Sequence, residues 1–168
     1  MTPDELRALQ APLKQRYQQD PSAALVTLKA EGTLGEGVTC RVETGRAIAE
    51  AGLHPATGGT GLALCSGDML LEALVACAGV TLNAVATAIG VRVDAGRIHA
   101  EGDLDFRGTL GVSKEAPVGL RTIRLRFELE SAASPEELAT LLKLTERYCV
   151  VLQTLRHSPE VTATIRAA

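Results

Sequence analysis

The chain has 168 residues, of which 46% are hydrophobic, 22% charged and only 2% aromatic. This length fits one ordinary domain, and the balance of apolar and charged residues excludes disordered, collagen-like and coiled-coil proteins. The formal net charge of −3 and the scarcity of aromatic rings argue against a protein that binds nucleic-acid backbones or stacks on their bases.

The N-terminal segment is predicted to be a helix over residues 3–18, because Thr2 can cap it and Pro3 suits the first helical position. The segment lacks the apolar region of a secretory signal, and its acidic residues are unlike those of a mitochondrial transit peptide. We therefore expect a cytoplasmic protein whose four cysteines are reduced.

Residues 24–50 alternate apolar and polar side chains, which predicts β-strands. Two strands form a hairpin through a Gly-Glu-Gly turn at 35–37, and residues 46–52 continue as a third strand. The segment 52–61 is rich in Gly, Pro and Thr and is predicted to be a loop.

The most apolar segment, residues 67–89, is predicted to be one long helix that Ser66 or Asp68 caps and Gly90 ends. Its length would suit a membrane span, but it contains Glu72 and is rich in Ala rather than Leu. We therefore expect a helix buried in a soluble protein. Because the helix is apolar nearly all round, a chain of this size would struggle to cover it alone, so we predict a homodimer.

The second half of the chain continues with strands. Residues 91–108 alternate as two short strands or one bent strand, and residues 109–119 form a loop. Residues 120–131 alternate most strongly, with the odd-numbered apolar side chains from 123 to 129 facing a core.

The last part of the chain is mainly helical. A Ser-Pro-Glu-Glu start at 134–137 predicts a helix to about Tyr148, a short helix follows over residues 149–157, and residues 160–167 close the chain as a strand. Strands and helices cluster instead of alternating one to one, so the fold class is α+β with antiparallel pairing.

The four cysteines lie in different surroundings. Cys40 lies on an alternating strand, Cys65 just before the central helix, Cys77 in its middle, and Cys149 where the 134–148 helix ends. A cysteine in an apolar helix is most often a small core residue. A thiol near free N–H groups at a helix end can instead have a lowered pKa, which applies to Cys65 and Cys149.

Two segments carry a resemblance to a known family. The segment SGDMLLEALVACAGVTL, which contains Cys77, resembles the central-helix motif SPxELLLAALxxCxxxTL of the OsmC/Ohr superfamily of osmotically inducible and organic hydroperoxide resistance proteins. The segment ERYCVVLQTL, which contains Cys149, resembles the family's KYCPVSRTL, and the Gly58-Gly59 loop also fits.

The resemblance extends from about residue 24 to the end of the chain and implies a fold. It implies a single OsmC-like domain over residues 1–168, with 1–22 as an N-terminal helical extension and 24–168 as the core. In such a domain antiparallel sheets wrap around a long buried central helix, and two chains form an intertwined homodimer.

The resemblance also implies a thiol peroxidase. Cys77 would be the peroxidatic and Cys149 the resolving cysteine, Arg46 or Arg41 would assist, and Asp68 would stand for the family's acidic residue. Such an enzyme reduces organic or fatty-acyl hydroperoxides, needs no metal or other cofactor, and is reset by an external dithiol reductant protein. Neither nucleic acid nor a membrane is an expected partner.

The sequence departs from the family pattern at Gly67, where more active members have Glu, and at Val150, where Pro is usual. An alternative is therefore a non-catalytic or weakly active protein of the same fold that binds a small or lipid-like ligand. A further alternative is a metal site, although no typical ligand spacing supports it. Its ligands would be Cys40, Cys65 and His54, with Cys77 or Asp68.

Overall fold

A computed structural model describes residues 3–34, 40–42, 52–62 and 64–166 of the chain. The helices are α1 (Pro3–Gln19), α2 (Ser66–Ile89), α3 (Phe106–Thr109), α4 (Pro135–Tyr148) and α5 (Val150–Arg156). The strands are β1 (Leu25–Leu34), β2 (Cys40–Val42), β3 (Ala95–Asp105) and β4 (Leu120–Glu130). Short 3-10 turns occupy Pro21–Ala24 and Pro55–Thr57.

The four strands form one antiparallel sheet in the order β2-β1-β3-β4, which confirms the α+β class. The predicted hairpin is present, since Gly32 of β1 pairs with Val42 of β2. Its turn at 35–37 and, apart from Gly52, the predicted third strand lie outside the described residues. The two halves of the chain therefore meet where β1 pairs with β3 along its length.

β3 is one continuous strand where the sequence allowed one or two. Its pairing with β4 is interrupted by a bulge, because Asp103 pairs with Thr122 whereas the next residue, Leu104, pairs with Leu120. Arg121 is thus an extra residue on β4, and the side-chain alternation of the strand changes at this point.

Helix α2 packs its buried face against the sheet, α4 and α5. It is the one helix in the described part of the chain with the length and hydropathy to cross a membrane. Buried residues on it include Leu71, Leu74, Ala78 and Leu82. The prediction that it forms the centre of the fold is confirmed, but part of its surface stays exposed among the described residues.

One side of α2 is an apolar stripe made of Leu70, Ala73, Cys77, Val80 and Ala84, which is exposed in the described chain except at Cys77, where α5 packs against it. Spacings of three and four residues place these side chains on one face of the helix. Leu70 and Val80 are each 40% exposed, and Cys77 in the middle of the stripe is half-buried. We refer to these five residues as the α2 stripe.

The ends of the helices confirm two predictions and overturn a third. Ser134 and Glu137 form the predicted capping box of α4, with hydrogen bonds of 3.2 and 2.8 Å. The prediction that Ser66 or Asp68 caps α2 is wrong, because the helix begins at Ser66 and the extended residue before it, Cys65, is the N-cap without a side-chain hydrogen bond. Gly90 ends α2 in a left-handed conformation, as predicted.

The prediction of a closing strand over residues 160–167 is also wrong. Residues 158–166 have no regular secondary structure, and Val161 and Ile165 are 82% and 98% exposed. Alternating side chains favour a strand only where a neighbouring strand supplies hydrogen bonds and a surface to cover the apolar face. The described part of the sheet supplies no such neighbour to this segment.

Candidate active site

Cys149 joins helices α4 and α5. It is the C-cap of α4 and the N-cap of α5, in an extended conformation that lets the chain change direction. Its backbone N–H donates to the carbonyl of Thr145, and its own carbonyl accepts from Gln153, both at 2.9 Å. The side chain is fully buried, so this junction holds the thiol in a fixed place in the core.

Cys77 lies in the middle of α2, and the contact between α2 and α5 brings it to Cys149. Its sulfur is within hydrogen-bonding reach of four groups: the backbone N–H groups of Val150 and Val151, the hydroxyl of Thr81 and the thiol of Cys149. The two cysteines singled out in the sequence lie far apart along the chain. In the fold they are neighbours.

The surroundings of Cys77 favour its thiolate. Partial burial opposes ionisation, but the hydrogen bonds from Val151, Cys149, Thr81 and Val150 together outweigh it, so the pKa of the Cys77 thiol lies below its ordinary value. All four groups can donate to a negatively charged sulfur. Cys77 thus has the lowered pKa and the partial exposure of a reactive cysteine.

Cys149 has the opposite electrostatics. Burial raises the pKa of its thiol to about 11, and the neighbouring sulfur of Cys77 contributes to the increase. A thiol that remains protonated can donate its hydrogen to the Cys77 thiolate. The pair therefore consists of one sulfur suited to nucleophilic attack and one that stays protonated beside it.

Sequence reasoning assigned no role to Thr81 or to the backbone of Val150 and Val151. Thr81 follows Cys77 by four residues, and this helical spacing was the signal that could have placed its hydroxyl beside the sulfur. The N–H groups of α5 could not be found in this way, because their approach to Cys77 depends on how α5 packs against α2.

The arginines expected to assist the cysteines are not placed by the structure. Arg46 lies outside the described residues. Arg41 belongs to β2, where its backbone pairs with Thr33 of β1, and its side chain is not among those described. Their part in the site stays a prediction.

Asp68 is placed away from Cys77. Nine residues turn a helix by about 900°, so the two side chains leave α2 on opposite sides and about 13 Å apart along its axis. Partial burial raises the pKa of the Asp68 carboxyl, and the nearby imidazole of His54 opposes this increase. A single chain therefore brings Asp68 to His54 and not to the cysteine pair.

The loop that carries His54 is fixed by several contacts. The imidazole stacks on the ring of Phe106 with the centroids 4.9 Å apart, and its Nδ1 accepts a hydrogen bond from the N–H of Ala56 at 3.0 Å. The hydroxyl of Tyr17 donates to the carbonyl of Ala56 at 2.7 Å. Helix α1 thus holds the loop in place beside the first turn of α2.

The sequence contains two further cysteines. Cys65 precedes α2 and is half-buried, and β2 begins at Cys40, whose side chain lies outside the described set. Among the described side chains, no group of three or more His, Cys, Asp or Glu could hold a metal ion.

Comparisons with known proteins agree with this fold. Residues 59–164, which include both Cys77 and Cys149, match the sequence profile of the family described as OsmC-like protein. No sequence among the curated proteins matches the chain significantly.

The solved structures of similar fold include two OsmC-like proteins. An OsmC-like hydroperoxide resistance protein from Jannaschia sp. CCS1 has a TM-score of 0.60 and 18% sequence identity, with 86% of this chain and 95% of that chain covered. An OsmC-like protein from Mycoplasma pneumoniae has a TM-score of 0.56 and 19% identity, with coverage of 80% and 86%. At these identities the likeness establishes the fold. Together with the profile match, it shows that the chain belongs to the OsmC-like protein family.

Proposed function

We propose that this protein is a thiol-dependent peroxidase that reduces organic hydroperoxides with Cys77 as the attacking and Cys149 as the resolving cysteine. The observation that carries the proposal is the hydrogen bond between the two thiols, whose pKa values are displaced in opposite directions. The hydroperoxide resistance protein among the solved relatives supports the same class of reaction.

The first step is the attack of the Cys77 thiolate on the terminal oxygen of a hydroperoxide ROOH. The S–O bond forms as the O–O bond breaks, the sulfur is oxidised to a sulfenic acid, and the alkoxide takes up a proton and leaves as ROH. The N–H groups of Val150 and Val151 and the hydroxyl of Thr81 lower the pKa of the attacking sulfur and so favour its thiolate form.

The second step joins the two sulfurs. Cys149 attacks the sulfenic sulfur of Cys77, its proton leaves with the hydroxyl as water, and a disulfide forms. An external dithiol reductant protein then reduces this disulfide by two thiol exchanges and is itself oxidised to a disulfide. The chemistry needs neither a metal nor an organic cofactor.

A dimer completes the proposed site. Cys77 lies in the middle of the α2 stripe, whose other residues are apolar and exposed in the described chain. A second copy packed on the stripe would wall the space beside Cys77. Arg46 or Arg41, from either chain, would then hold the peroxide and stabilise the thiolate by its positive charge. This part of the proposal rests on the family resemblance and on the exposure of the stripe.

A thiol count during turnover tests the proposal. On addition of cumene hydroperoxide, stopped-flow measurements with the purified protein should show the loss of two thiols per chain. Cys77→Ser should abolish this loss, whereas Cys149→Ser should still lose the Cys77 thiol and leave a sulfenic acid that dimedone traps.

Cys65→Ser is the matched control, because it removes a half-buried cysteine outside the pair and should leave peroxide consumption unchanged. If Cys77→Ser consumes cumene hydroperoxide as fast as the unaltered protein, the peroxidase assignment fails. The alternative of a binding protein on the same fold would then take its place.

A further inference from the structure

The two sulfurs of the proposed site differ in how far they can be reached from outside the chain. Cys149 is 0% exposed and belongs to the hydrophobic core cluster that includes Leu71, Leu74 and Leu152. Cys77 is only half-buried. The pair therefore consists of one sulfur enclosed by core side chains and one that keeps an accessible side.

The accessible side of Cys77 faces away from Cys149. Its sulfur is contacted by the start of α5 and by one residue of its own helix, namely Cys149, Val150, Val151 and Thr81. Ala73 and Val80, which neighbour Cys77 on the α2 stripe, are both exposed. The part of the Cys77 sulfur that α5 leaves free therefore opens onto the α2 stripe.

This difference decides which sulfur of a Cys77–Cys149 disulfide a thiol can attack. An attacking thiolate approaches a disulfide sulfur from the side opposite the bond that breaks, and the rate of exchange depends on access to that sulfur. An approach to Cys149 from the side opposite Cys77 would pass through the core. The corresponding approach to Cys77 comes from the exposed α2 stripe.

We propose that the external dithiol reductant attacks the sulfur of Cys77 and not that of Cys149. The inference rests on the proposed peroxidase cycle, because it concerns the disulfide formed in that cycle. A thiolate of the reductant forms an S–S bond to Cys77 as the Cys77–Cys149 bond breaks, and the electron pair of that bond leaves on the sulfur of Cys149, which takes up a proton. The second thiolate of the reductant then attacks the reductant's own sulfur in this mixed disulfide. Cys77 leaves as a thiolate, and the reductant becomes a disulfide.

The surroundings of each sulfur suit the step in which it leaves. The N–H groups of Leu152 and Val151 donate to the sulfur of Cys149 and stabilise the negative charge on it as the bond breaks. Burial raises the pKa of the Cys149 thiol to about 11, so once protonated it does not attack the mixed disulfide again at neutral pH. Cys77 has a pKa below the ordinary thiol value, which makes it the better leaving group in the second step.

The reductant and the hydroperoxide use the same approach to the site. Both must reach the sulfur of Cys77 from the side of the α2 stripe. In a dimer joined through the stripe, an opening that admits a hydroperoxide to this sulfur also admits a thiol. The two reactants therefore occupy the site in turn, the hydroperoxide first and the reductant after the disulfide has formed.

The position of the first mixed disulfide tests the proposal. Diamide, which oxidises neighbouring thiols without a peroxide, forms the Cys77–Cys149 disulfide, and glutathione is then added as a probe with a single thiol. Samples taken at short times into acid, denaturant and N-ethylmaleimide are analysed by peptide mass spectrometry. Glutathione should be found on Cys77 and N-ethylmaleimide on Cys149, with at least about tenfold less glutathione on Cys149.

Two leucine substitutions on the α2 stripe provide an independent measurement. Ala73 lies four residues before Cys77, and helical side chains lean towards the N-terminus, so Ala73→Leu adds bulk beside the approach to the Cys77 sulfur. Ala84→Leu adds the same bulk to the same stripe about 10 Å further along the helix axis and is the matched control. Glutathione should reduce the diamide-formed disulfide at least about fivefold more slowly in Ala73→Leu than in Ala84→Leu.

Three outcomes would overturn the proposal: glutathione found first on Cys149, equal rates of reduction for Ala73→Leu and Ala84→Leu, or no Cys77–Cys149 disulfide after diamide. Since diamide takes the place of the hydroperoxide, these results do not depend on turnover. A protein that fails to consume cumene hydroperoxide but carries glutathione on Cys77 would refute the peroxidase assignment and keep the order of thiol exchange.

Discussion

The thiol of Cys149 lies against the sulfur of Cys77 and donates a hydrogen bond to it. The two groups respond to this contact in opposite ways, because a donated hydrogen bond stabilises the Cys77 thiolate and a neighbouring negative sulfur disfavours ionisation of Cys149. The contact therefore assigns different protonation states to two residues of the same type. This difference has a direct consequence for their reactivity as the pH changes.

Alkylation of the two cysteines should follow different pH profiles. Only the thiolate reacts with iodoacetamide, so Cys77, with a pKa below the ordinary thiol value, should be modified at neutral pH. Cys149 is buried and has a pKa of about 11, so it should remain unmodified until strongly alkaline pH. Peptide mass spectrometry after brief alkylation at a series of pH values measures both profiles.

Thr81 provides a variant for the same measurement. Thr81→Val keeps the shape of the side chain and removes the hydroxyl, so alkylation of Cys77 at pH 7 should become about threefold to tenfold slower. Thr81→Ser restores a hydroxyl and should react like the unaltered protein. Equal rates for the valine and serine variants would show that the hydroxyl does not stabilise the thiolate.

The buried ion pair between Asp105 and Arg107 should contribute to stability. Asp105 is fully buried, and its carboxylate accepts hydrogen bonds from the guanidinium at 2.6 Å and from the N–H of Arg107 at 3.1 Å. Asp105→Asn should lower the free energy of unfolding by about 2 kcal/mol, less than for a fully buried pair because Arg107 reaches solvent. Urea denaturation at pH 7 measures this difference.

The same carboxylate should make the free energy of unfolding depend on pH in the acidic range. The hydrogen bonds from Arg107 hold the pKa of Asp105 below its ordinary value. The stabilisation from the ionised carboxylate is therefore fully present above the ordinary carboxyl pKa, and it is lost as the pH falls through the lowered pKa of the folded protein. Asp94→Asn is the control, since Asp94 pairs with Arg92 at an exposed position and should change stability by less than about 0.5 kcal/mol. Equal losses in both variants would contradict the importance of burial.

Local sequence patterns predicted the features that depend on local interactions. The capping box of Ser134 and Glu137 is an example, because all its partners lie within one helical turn. The faces of β4 are another, since alternation alone separates the side chain of Phe127 from that of Arg126. The pairing of Cys77 with Cys149 came from the family resemblance, because the two lie on different helices and local patterns carry no information about their distance.

Features that depend on packing between distant segments were missed. Asp68 lies near His54 because α1 and Phe106 hold the loop before α2 in place. The predicted closing strand failed for a related reason. The alternation from Val161 to Ile165 resembles that of β4, but a strand also needs a neighbour, and the described sheet provides none.

Asp68 should make the protein less stable as the pH rises. Partial burial raises the pKa of its carboxyl in the folded protein, so its favourable contribution is present below the ordinary carboxyl pKa and is lost as the pH rises through the raised value. Asp68→Asn should therefore raise Tm at pH 7 relative to the unaltered protein and have little effect near pH 3. Thermal melts at the two pH values measure the change, and a lower Tm of the variant at pH 7 would show that the ionised carboxylate is stabilising.

The α2 stripe should be the surface on which two copies meet. Its residues are apolar, and four of the five are exposed in the described chain; large exposed apolar patches commonly mark protein interfaces. Val80→Lys would place a charge in the middle of this surface, where its burial is unfavourable, so the dimer should dissociate. Ala139→Lys, on an exposed position of α4, is the matched control and should remain dimeric. Light scattering at micromolar concentration distinguishes the two masses, and a monomeric mass for the unaltered protein would refute the dimer itself.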